Sequence, residues 1–173
     1  MNIHERFKKI TTFIFDMDGV LTDGSVLVLE NGLQARRMSI KDGYALQLAI
    51  KKGYRIIVVS GADSQPVAAR LNKLGVTEIN MSVIDKKSFI EKFIETHKLK
   101  AKEVLFMGDD MPDLEAMSVV GLPVCPADAV NEIRKTSRYV STYTGGNGCV
   151  RDVIETVLKL NEHWDNHPGI ASR

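Results

Sequence analysis

Short apolar runs alternate with amphipathic segments along most of the chain. Five short runs have the length of buried strands, at residues 12–14, 55–59, 78–82, 104–107 and 121–125, and those at 55–59 and 104–107 consist almost entirely of valine, isoleucine, leucine, phenylalanine and methionine. The segments between them place apolar residues at helical spacing, as in Phe89, Ile90, Phe93 and Ile94. This alternation predicts an α/β fold: a Rossmann-like, doubly wound, mainly parallel sheet with helices on both faces.

Capping residues and glycines indicate where the helices begin and end. Asp42 is expected to cap a helix that ends before Gly53, and Asp85 is expected to cap a helix that runs to about Lys98. Further helices are expected from 63–64 to 75, at 114–118, at 127–135 and at 149–163, with an edge strand at 138–141.

A hairpin interrupts the pattern after the first strand. Strand-like runs at 26–30 and 33–38 flank Asn31-Gly32, a strong short hairpin signal. A lone hairpin is marginal in water, so this flap, about 25–38, is expected to pack on another subunit or on the body of the protein. Apart from the flap, the chain from 23 to 86 has room only for helices, strands and turns, so no cap domain is expected.

Composition fits one globular domain over residues 1–173, with a polar tail at about 164–173. Lysine and arginine number 23 against 22 acidic residues, and the net charge of +1 gives no attraction for nucleic acid or for an anionic membrane. Cys125 and Cys149 are too far apart for a CxxC site, and there is no signal-like or membrane-spanning apolar run. We therefore expect a cytoplasmic protein.

Two carboxylates follow the first strand directly, in the stretch Asp16-Met17-Asp18-Gly19. Two residues apart in extended chain, they lie on the same side, where like charges resist joint ionisation unless a cation or a shared proton intervenes. The pair thus indicates a metal site, a proton-transfer role, or both. The alternative is structural: Asp18-Gly19 is only a turn, and Asp16 caps the segment after it.

Polar residues at other strand ends can join this pair. The carboxyl ends of parallel strands meet at one edge of a sheet, so Asp16, Ser60, Lys86 and Asp109 can converge. Carboxylates, a hydroxyl, an ammonium group and turn amides suit a phosphate monoester. Structural roles compete here too, because Ser60 could simply cap a helix and a lysine at a helix start is usually exposed.

Each of these residues has a candidate role. Asp16 is the candidate nucleophile and would form an aspartyl phosphate, and Asp18 is the candidate general acid and base. Asp16, Asp18 and Asp109 are the candidate ligands of Mg²⁺, which prefers oxygen donors. Asp110 and Asp113 are expected just behind these ligands, with Asp113 orienting Lys86. Gly61 is expected to offer its amide to a phosphoryl oxygen.

The acidic motifs resemble those of the haloacid dehalogenase superfamily of phosphohydrolases. The stretch 16–23 is similar to that family's Asp-x-Asp-Gly-Val-Leu-Thr-Asp motif, and Gly108–Asp113 is similar to its Gly-Asp-Asp-x-x-Asp motif. The resemblance implies that Lys86, rather than its neighbour Lys87, is the catalytic lysine. Receiver domains of two-component signalling carry similar residues in another order, because their phosphorylated aspartate follows the third strand.

The chain is similar to one group within that family, the 3-deoxy-D-manno-octulosonate 8-phosphate phosphatases. The similarity lies in the capless layout, the hairpin, residues 41–44 and residues 145–152. The resemblance implies Mg²⁺-dependent hydrolysis of that acidic sugar phosphate in lipopolysaccharide synthesis, by homotetramers in which the flap of one subunit closes the site of the next. Nine-carbon, sialic-acid-type sugar phosphates are the alternative substrates. A non-catalytic phosphate-binding or signalling domain and a phosphotransferase are the other classes considered.

One position departs from that group. This chain has Ser60-Gly61-Ala62 where the group usually has Thr-Gly-Arg, so a guanidinium expected to bind the acidic sugar is missing. Arg36, Arg37 or Arg70 would have to bind the substrate in its place, and Arg151 could reach an active site as in the resembling tetramers. Arg36 and Arg37 could instead lie on an exposed flap edge, and Arg151 could instead cap the last helix.

Overall fold

The computed structural model describes residues 2–167 and 169–170. The strands are β1 Thr12–Phe15, β2 Leu27–Val28, β3 Gln34–Ala35, β4 Arg55–Val59, β5 Glu78–Asn80, β6 Val104–Met107, β7 Leu122–Cys125 and β8 Tyr139–Val140. The α-helices are α1 Ile3–Lys8, α2 Ile40–Lys51, α3 Gln65–Lys73, α4 Lys86–Thr96, α5 Asn131–Thr136 and α6 Cys149–Leu160. Short 3₁₀ turns span Ala101–Glu103, Met111–Asp113 and Ala116–Val119.

Six strands form one parallel sheet in the order β5-β4-β1-β6-β7-β8. The first strand lies in the middle, and its residue Phe15 pairs with Val58 of β4 on one side and with Met107 of β6 on the other. The chain builds outward from β1 through β4 and β5, and then crosses to build β6, β7 and β8. The fold prediction is confirmed, and the topological switch point lies between β1 and β6, where α/β sheets bind ligands.

Both faces of the sheet are buried, which explains why its strands are continuous apolar runs. Phe13 and Phe15 belong to a core shared with α1, α2, α3 and α6. Ile14, between them in sequence, belongs to the core on the opposite face, with Ile90 of α4 and Ile133 of α5. Because successive side chains of a strand point to opposite faces, each face needs its own apolar residues.

The predicted hairpin is present, with shorter strands than the pattern indicated. β2 and β3 pair antiparallel, and Gly32 in the turn has φ of +80°. Three of its apolar side chains are largely exposed: Leu27 at 64%, Val28 at 67% and Leu33 at 63%. The hairpin therefore presents an apolar surface that the rest of the subunit does not cover.

The prediction for Asp42 was wrong. The helix begins earlier, at Ile40, and Ser39 is its N-cap, accepting a hydrogen bond from the Asp42 backbone N–H at 3.3 Å. The Asp42 carboxylate instead accepts from the backbone N–H of Arg151 at 2.7 Å, at the start of α6. A carboxylate is stabilised there by the unpaired N–H groups and the positive end of the helix dipole.

Other element boundaries also differ from the predictions. Helix α1 was not predicted, the predicted helix at 127–135 is limited to Asn131–Thr136, and the one at 114–118 is a short 3₁₀ turn. The described part of the tail lies along α2, where Trp164 packs edge-on against Tyr44. Residues 168 and 171–173 of the predicted tail lie outside the described residues. Within the described chain, none of the helices has the length and apolar character needed to span a bilayer.

Candidate active site

Two aspartates stand at the switch point of the sheet. Asp16 follows β1 directly, and its backbone N–H donates to the carbonyl of Met107 at 3.0 Å, continuing the ladder between β1 and β6. Asp109 lies two residues beyond the end of β6. The two carboxylates come together because their strands are neighbours, although they lie far apart in sequence.

Lys86 and Asp113 complete the buried centre of the site. Lys86, at the first position of α4, is only 4% exposed, and its Nζ lies 2.8 Å from Asp16 Oδ1 and 2.6 Å from Asp113 Oδ1. The other oxygen of Asp113, Oδ2, accepts from the Asp109 backbone N–H at 3.0 Å. Asp113 thus links the lysine, which also contacts Asp16, to the turn that carries Asp109.

The centre carries more negative than positive charge. Burial, helped by the charge of Asp113 and opposed by Lys86, raises the pKa of Asp16 to about 6. Burial and the charges of Asp16, Asp113 and Asp110 raise the pKa of Asp109 to about 8. Burial alone would lower the pKa of Lys86, but the carboxylates of Asp16 and Asp113 outweigh it and raise the pKa. One ammonium group does not balance these carboxylates.

The close approach of these carboxylates fits the binding of a divalent cation. Asp16, Asp109 and Asp113 each offer an oxygen within 4.8 Å of the others, the only such group in the described residues. Among those residues, Asp109 Oδ1 is buried and has no hydrogen-bond partner. A buried carboxylate oxygen without a donor is costly unless a cation takes that place. The donors are all oxygens, as Mg²⁺ prefers.

Gly19 makes the close approach of the two halves of the site possible. Its φ is +85°, and a Cβ at this position would lie 2.0 Å from Asp109 Oδ2. The loop after β1 could therefore not carry a side chain here without displacing the carboxylate. In the sequence, Asp18-Gly19 indicates a turn at this point, but it does not identify Asp109 as the residue that the turn contacts.

An open cavity of about 320 Å³ lies over these groups. Ser60 and Gly61 line it, and the Ser60 hydroxyl accepts from the Ala62 backbone N–H at 3.1 Å. Asp110 also lines it, with its carboxylate accepting from the Met111 backbone N–H at 2.8 Å. The remaining lining residues are Asp16, Asp18, Gly24, Ala62, Val83, Ile84, Lys86, Asp109, Pro112 and Asp113.

Asp18 lines the same cavity but lies apart from the carboxylate cluster. Its Oδ1 accepts from Arg36 Nε at 2.8 Å and from the Thr22 hydroxyl at 3.2 Å, and its Oδ2 accepts from Arg36 Nη2 at 3.2 Å. Both oxygens of the Asp18 side chain are therefore engaged by Arg36. Thr22, which sequence reasoning missed, also accepts from the Gly19 backbone N–H at 3.3 Å.

The other predicted substrate-binding arginines line different cavities. Arg70 lies in a groove between the hairpin and α3, and Arg151 lines a separate cavity beside α6. The Arg151 guanidinium is 2.8 Å from Glu155 and stacks 5.2 Å from the Trp164 ring centre. Neither arginine reaches the acidic cavity of its own subunit.

Known proteins match this arrangement over nearly the whole chain. The family model of haloacid dehalogenase-like hydrolases matches residues 69–153. A crystal structure of the 3-deoxy-D-manno-octulosonate 8-phosphate phosphatase from Moraxella catarrhalis, in complex with a magnesium ion, a phosphate ion and a KDO molecule, has a TM-score of 0.88 at 30% identity, covering 91% of each chain. The chain belongs to the haloacid dehalogenase-like hydrolases.

Two further matches support this placement. The 3-deoxy-D-manno-octulosonate 8-phosphate phosphatase of Yersinia pestis is 27% identical over 170 residues, 98% of this hydrolase and 91% of that protein. A subfamily III A hydrolase of the same superfamily from Legionella pneumophila has a TM-score of 0.89 at 31% identity, covering 92% of this hydrolase and 88% of that chain. The predicted resemblance is confirmed, and this hydrolase has a hairpin and α2, not a cap domain, between β1 and β4.

Proposed function

We propose that this hydrolase is a Mg²⁺-dependent phosphomonoesterase that cleaves 3-deoxy-D-manno-octulosonate 8-phosphate through an aspartyl-phosphate intermediate. The observation that carries the proposal is the buried Lys86 joined to Asp16 beside an excess of carboxylates, at the sheet edge where such folds bind ligands. The likeness to octulosonate phosphatases supports the choice of sugar.

The metal would be held by the carboxylates at the switch point. Asp16 and Asp109 are the proposed ligands, with Asp113 behind them, and the unpaired Asp109 Oδ1 is the oxygen that most needs a cation. When bound, Mg²⁺ would neutralise charge on the phosphoryl oxygens of the substrate. The proposal that the Asp18 side chain is also a ligand has less support, because Arg36 engages both of its oxygens.

Asp16 is the proposed nucleophile. Its pKa of about 6 leaves the carboxylate mostly ionised at neutral pH. Lys86 contacts Oδ1, and Oδ2 is the oxygen proposed to attack phosphorus. Attack on phosphorus forms the bond between the carboxylate oxygen and phosphorus while the ester P–O bond breaks. Lys86, Ser60 and the Gly61 amide would hold the phosphoryl oxygens during this displacement.

Asp18 is the proposed general acid and base. It would give a proton to the departing sugar oxygen, and would then accept a proton from the water that attacks the aspartyl phosphate. Inorganic phosphate leaves, and Asp16 returns as a carboxylate. The position of Asp18 on the cavity wall, away from the metal-binding cluster, supports this separation of roles.

A second subunit would complete the site. The exposed apolar side chains of Leu27, Val28 and Leu33 need a partner, and the acidic cavity is open to water. We propose a homotetramer in which the hairpin of one subunit covers the cavity of the next, so that Arg70 or Arg151 could reach a neighbour's substrate. Sedimentation should then give an oligomer at micromolar concentration, and a fully active monomer would contradict the shared site.

A substrate panel tests the function. We expect phosphate release from the eight-carbon 2-keto sugar phosphate with a higher kcat/KM than from nine-carbon, sialic-acid-type phosphates, and no release by Asp16→Asn. The reverse preference would favour the nine-carbon alternative. No release from these esters or from an aryl phosphate would indicate a binding module, and phosphoryl transfer to an added alcohol instead of water would indicate a phosphotransferase.

A further inference from the structure

Arg36, at the end of the projecting hairpin, forms a two-point ion pair with Asp18. Its guanidinium engages Asp18 with two nitrogens, Nε at 2.8 Å from Oδ1 and Nη2 at 3.2 Å from Oδ2. The Arg36 side chain is only 8% exposed, although the hairpin strands before it are exposed. A paired arrangement of this kind fixes both the position and the plane of a carboxylate.

Asp18 needs such a restraint because of where it lies. It is two residues from Asp16, and the carboxylates of Asp16, Asp109 and Asp113 already share one small space. A fourth carboxylate in that space would add repulsion and compete for the metal. The guanidinium holds Asp18 on the wall of the same cavity but outside the cluster.

We propose that Arg36 is a positioning residue for the proton-transfer step, holding the Asp18 carboxyl group toward the leaving oxygen of the substrate. This inference rests on the proposed function, in which Asp18 is the general acid and base. It also makes the hairpin part of the catalytic apparatus of its own subunit, in addition to covering a neighbour.

The contacts of the two Asp18 oxygens indicate which one handles the proton. Oδ1 accepts from both Arg36 Nε and the Thr22 hydroxyl, at 2.8 and 3.2 Å. Oδ2 accepts the longer bond from Arg36 Nη2 and keeps a lone pair for the proton. The proton would therefore pass from Oδ2 to the departing sugar oxygen as the ester P–O bond breaks, and back to Oδ2 from the attacking water.

Arg37 provides a matched control. It is the next residue of the same hairpin and carries the same charge, but its guanidinium pairs with Asp23 at 2.9 Å and its side chain is 67% exposed. Replacing Arg37 by alanine removes an equal charge from the hairpin without touching Asp18.

The test compares leaving groups, because an alkyl ester needs protonation of its leaving oxygen far more than an aryl ester does. The comparison is made in single turnovers, because the later hydrolysis of the aspartyl phosphate is the same for both esters. In Arg36→Ala, the single-turnover rate of sugar release from octulosonate 8-phosphate should fall by about 100-fold, at the low end of what general acid catalysis contributes, while that of p-nitrophenol release from p-nitrophenyl phosphate should fall by only about threefold. Arg37→Ala should change both single-turnover rates by less than about threefold, as expected for an exposed ion pair.

A double-mutant cycle separates a role through Asp18 from a merely structural one. In an Asp18→Asn background, adding Arg36→Ala should cause no further fall in the single-turnover rate with the sugar phosphate. An equal loss of the single-turnover rate with both esters, an unchanged rate with both, or a full further loss in the Asp18→Asn background would overturn the assignment of Arg36. A wild-type protein that hydrolyses neither ester would instead overturn the proposed function, and this assignment with it.

Discussion

Removing the ammonium group of Lys86 should leave an uncompensated cluster of buried carboxylates. Lys86 is 4% exposed and forms ion pairs of 2.8 Å with Asp16 and 2.6 Å with Asp113, both of which are themselves buried. Losing one partner of a buried, hydrogen-bonded ion pair costs roughly 3–5 kcal/mol, because the remaining charge keeps its desolvation penalty. Lys86→Met keeps much of the side-chain volume, so most of its cost is electrostatic.

Urea unfolding in the presence of a metal chelator measures this cost. With a slope of about 2 kcal/mol per molar urea, we expect the midpoint of Lys86→Met to fall by roughly 2 M. Lys87→Met, one residue further along the same helix, should change stability by less than about 0.5 kcal/mol. An unchanged midpoint for Lys86→Met would refute the reasoning that the lysine neutralises the cluster. Adding Mg²⁺ should restore part of the loss, since a ligand that binds only the folded state stabilises it.

Two further predictions concern Asp42 and Gly19. Burial raises the pKa of Asp42 from 3.8 to about 6, so protonation of its carboxylate favours the folded state, and this contribution to stability is lost as the pH rises through 6. Between about pH 4.5 and 7.5 the wild type should therefore lose about 2 kcal/mol more of its free energy of unfolding than Asp42→Asn, measured by urea titration, and parallel pH profiles of the two proteins would contradict this. In Gly19→Ala the new Cβ would lie 2.0 Å from Asp109 Oδ2 at a φ of +85°, so the free energy of unfolding should fall by about 1–3 kcal/mol. The affinity for Mg²⁺, measured by calorimetry, should also fall, and unchanged values of both quantities would contradict the role assigned to Gly19.

The sheet could be predicted because its physical signal is local. Residues 56–59 and 104–107 are apolar throughout since both faces of the parallel sheet are covered, and the residues that follow such strands meet at one edge. The same rule brought together Asp16, Ser60, Lys86 and Asp109, the core of the candidate site.

The error at Asp42 arises because two local solutions were equally good. Ser39 and Asp42 are three residues apart, and either oxygen could cap the start of α2. The sequence does not say that α6 packs against α2 and takes the Asp42 carboxylate for its own N–H groups. Only the tertiary arrangement assigns the two oxygens to different helices.

The contacts that tune the site are long-range and have no sequence pattern. Arg36 could be an exposed flap residue, a substrate ligand or a partner of Asp18, and the choice depends on how the hairpin folds back. Gly145 illustrates the same limit, since a Cβ there would lie 2.0 Å from the carbonyl oxygen of Gly19, so the glycine-rich loop braces the loop after β1. Neither contact follows from composition or periodicity.

The central claim is that Asp16 attacks phosphorus and carries the phosphoryl group. An acid quench during turnover of octulosonate 8-phosphate with Mg²⁺, followed by borohydride reduction, converts an acyl phosphate at an aspartate into homoserine, which mass spectrometry locates to a single residue. We predict homoserine at position 16. Homoserine at position 18 or 109 instead, or none while phosphate is being released, would contradict the account.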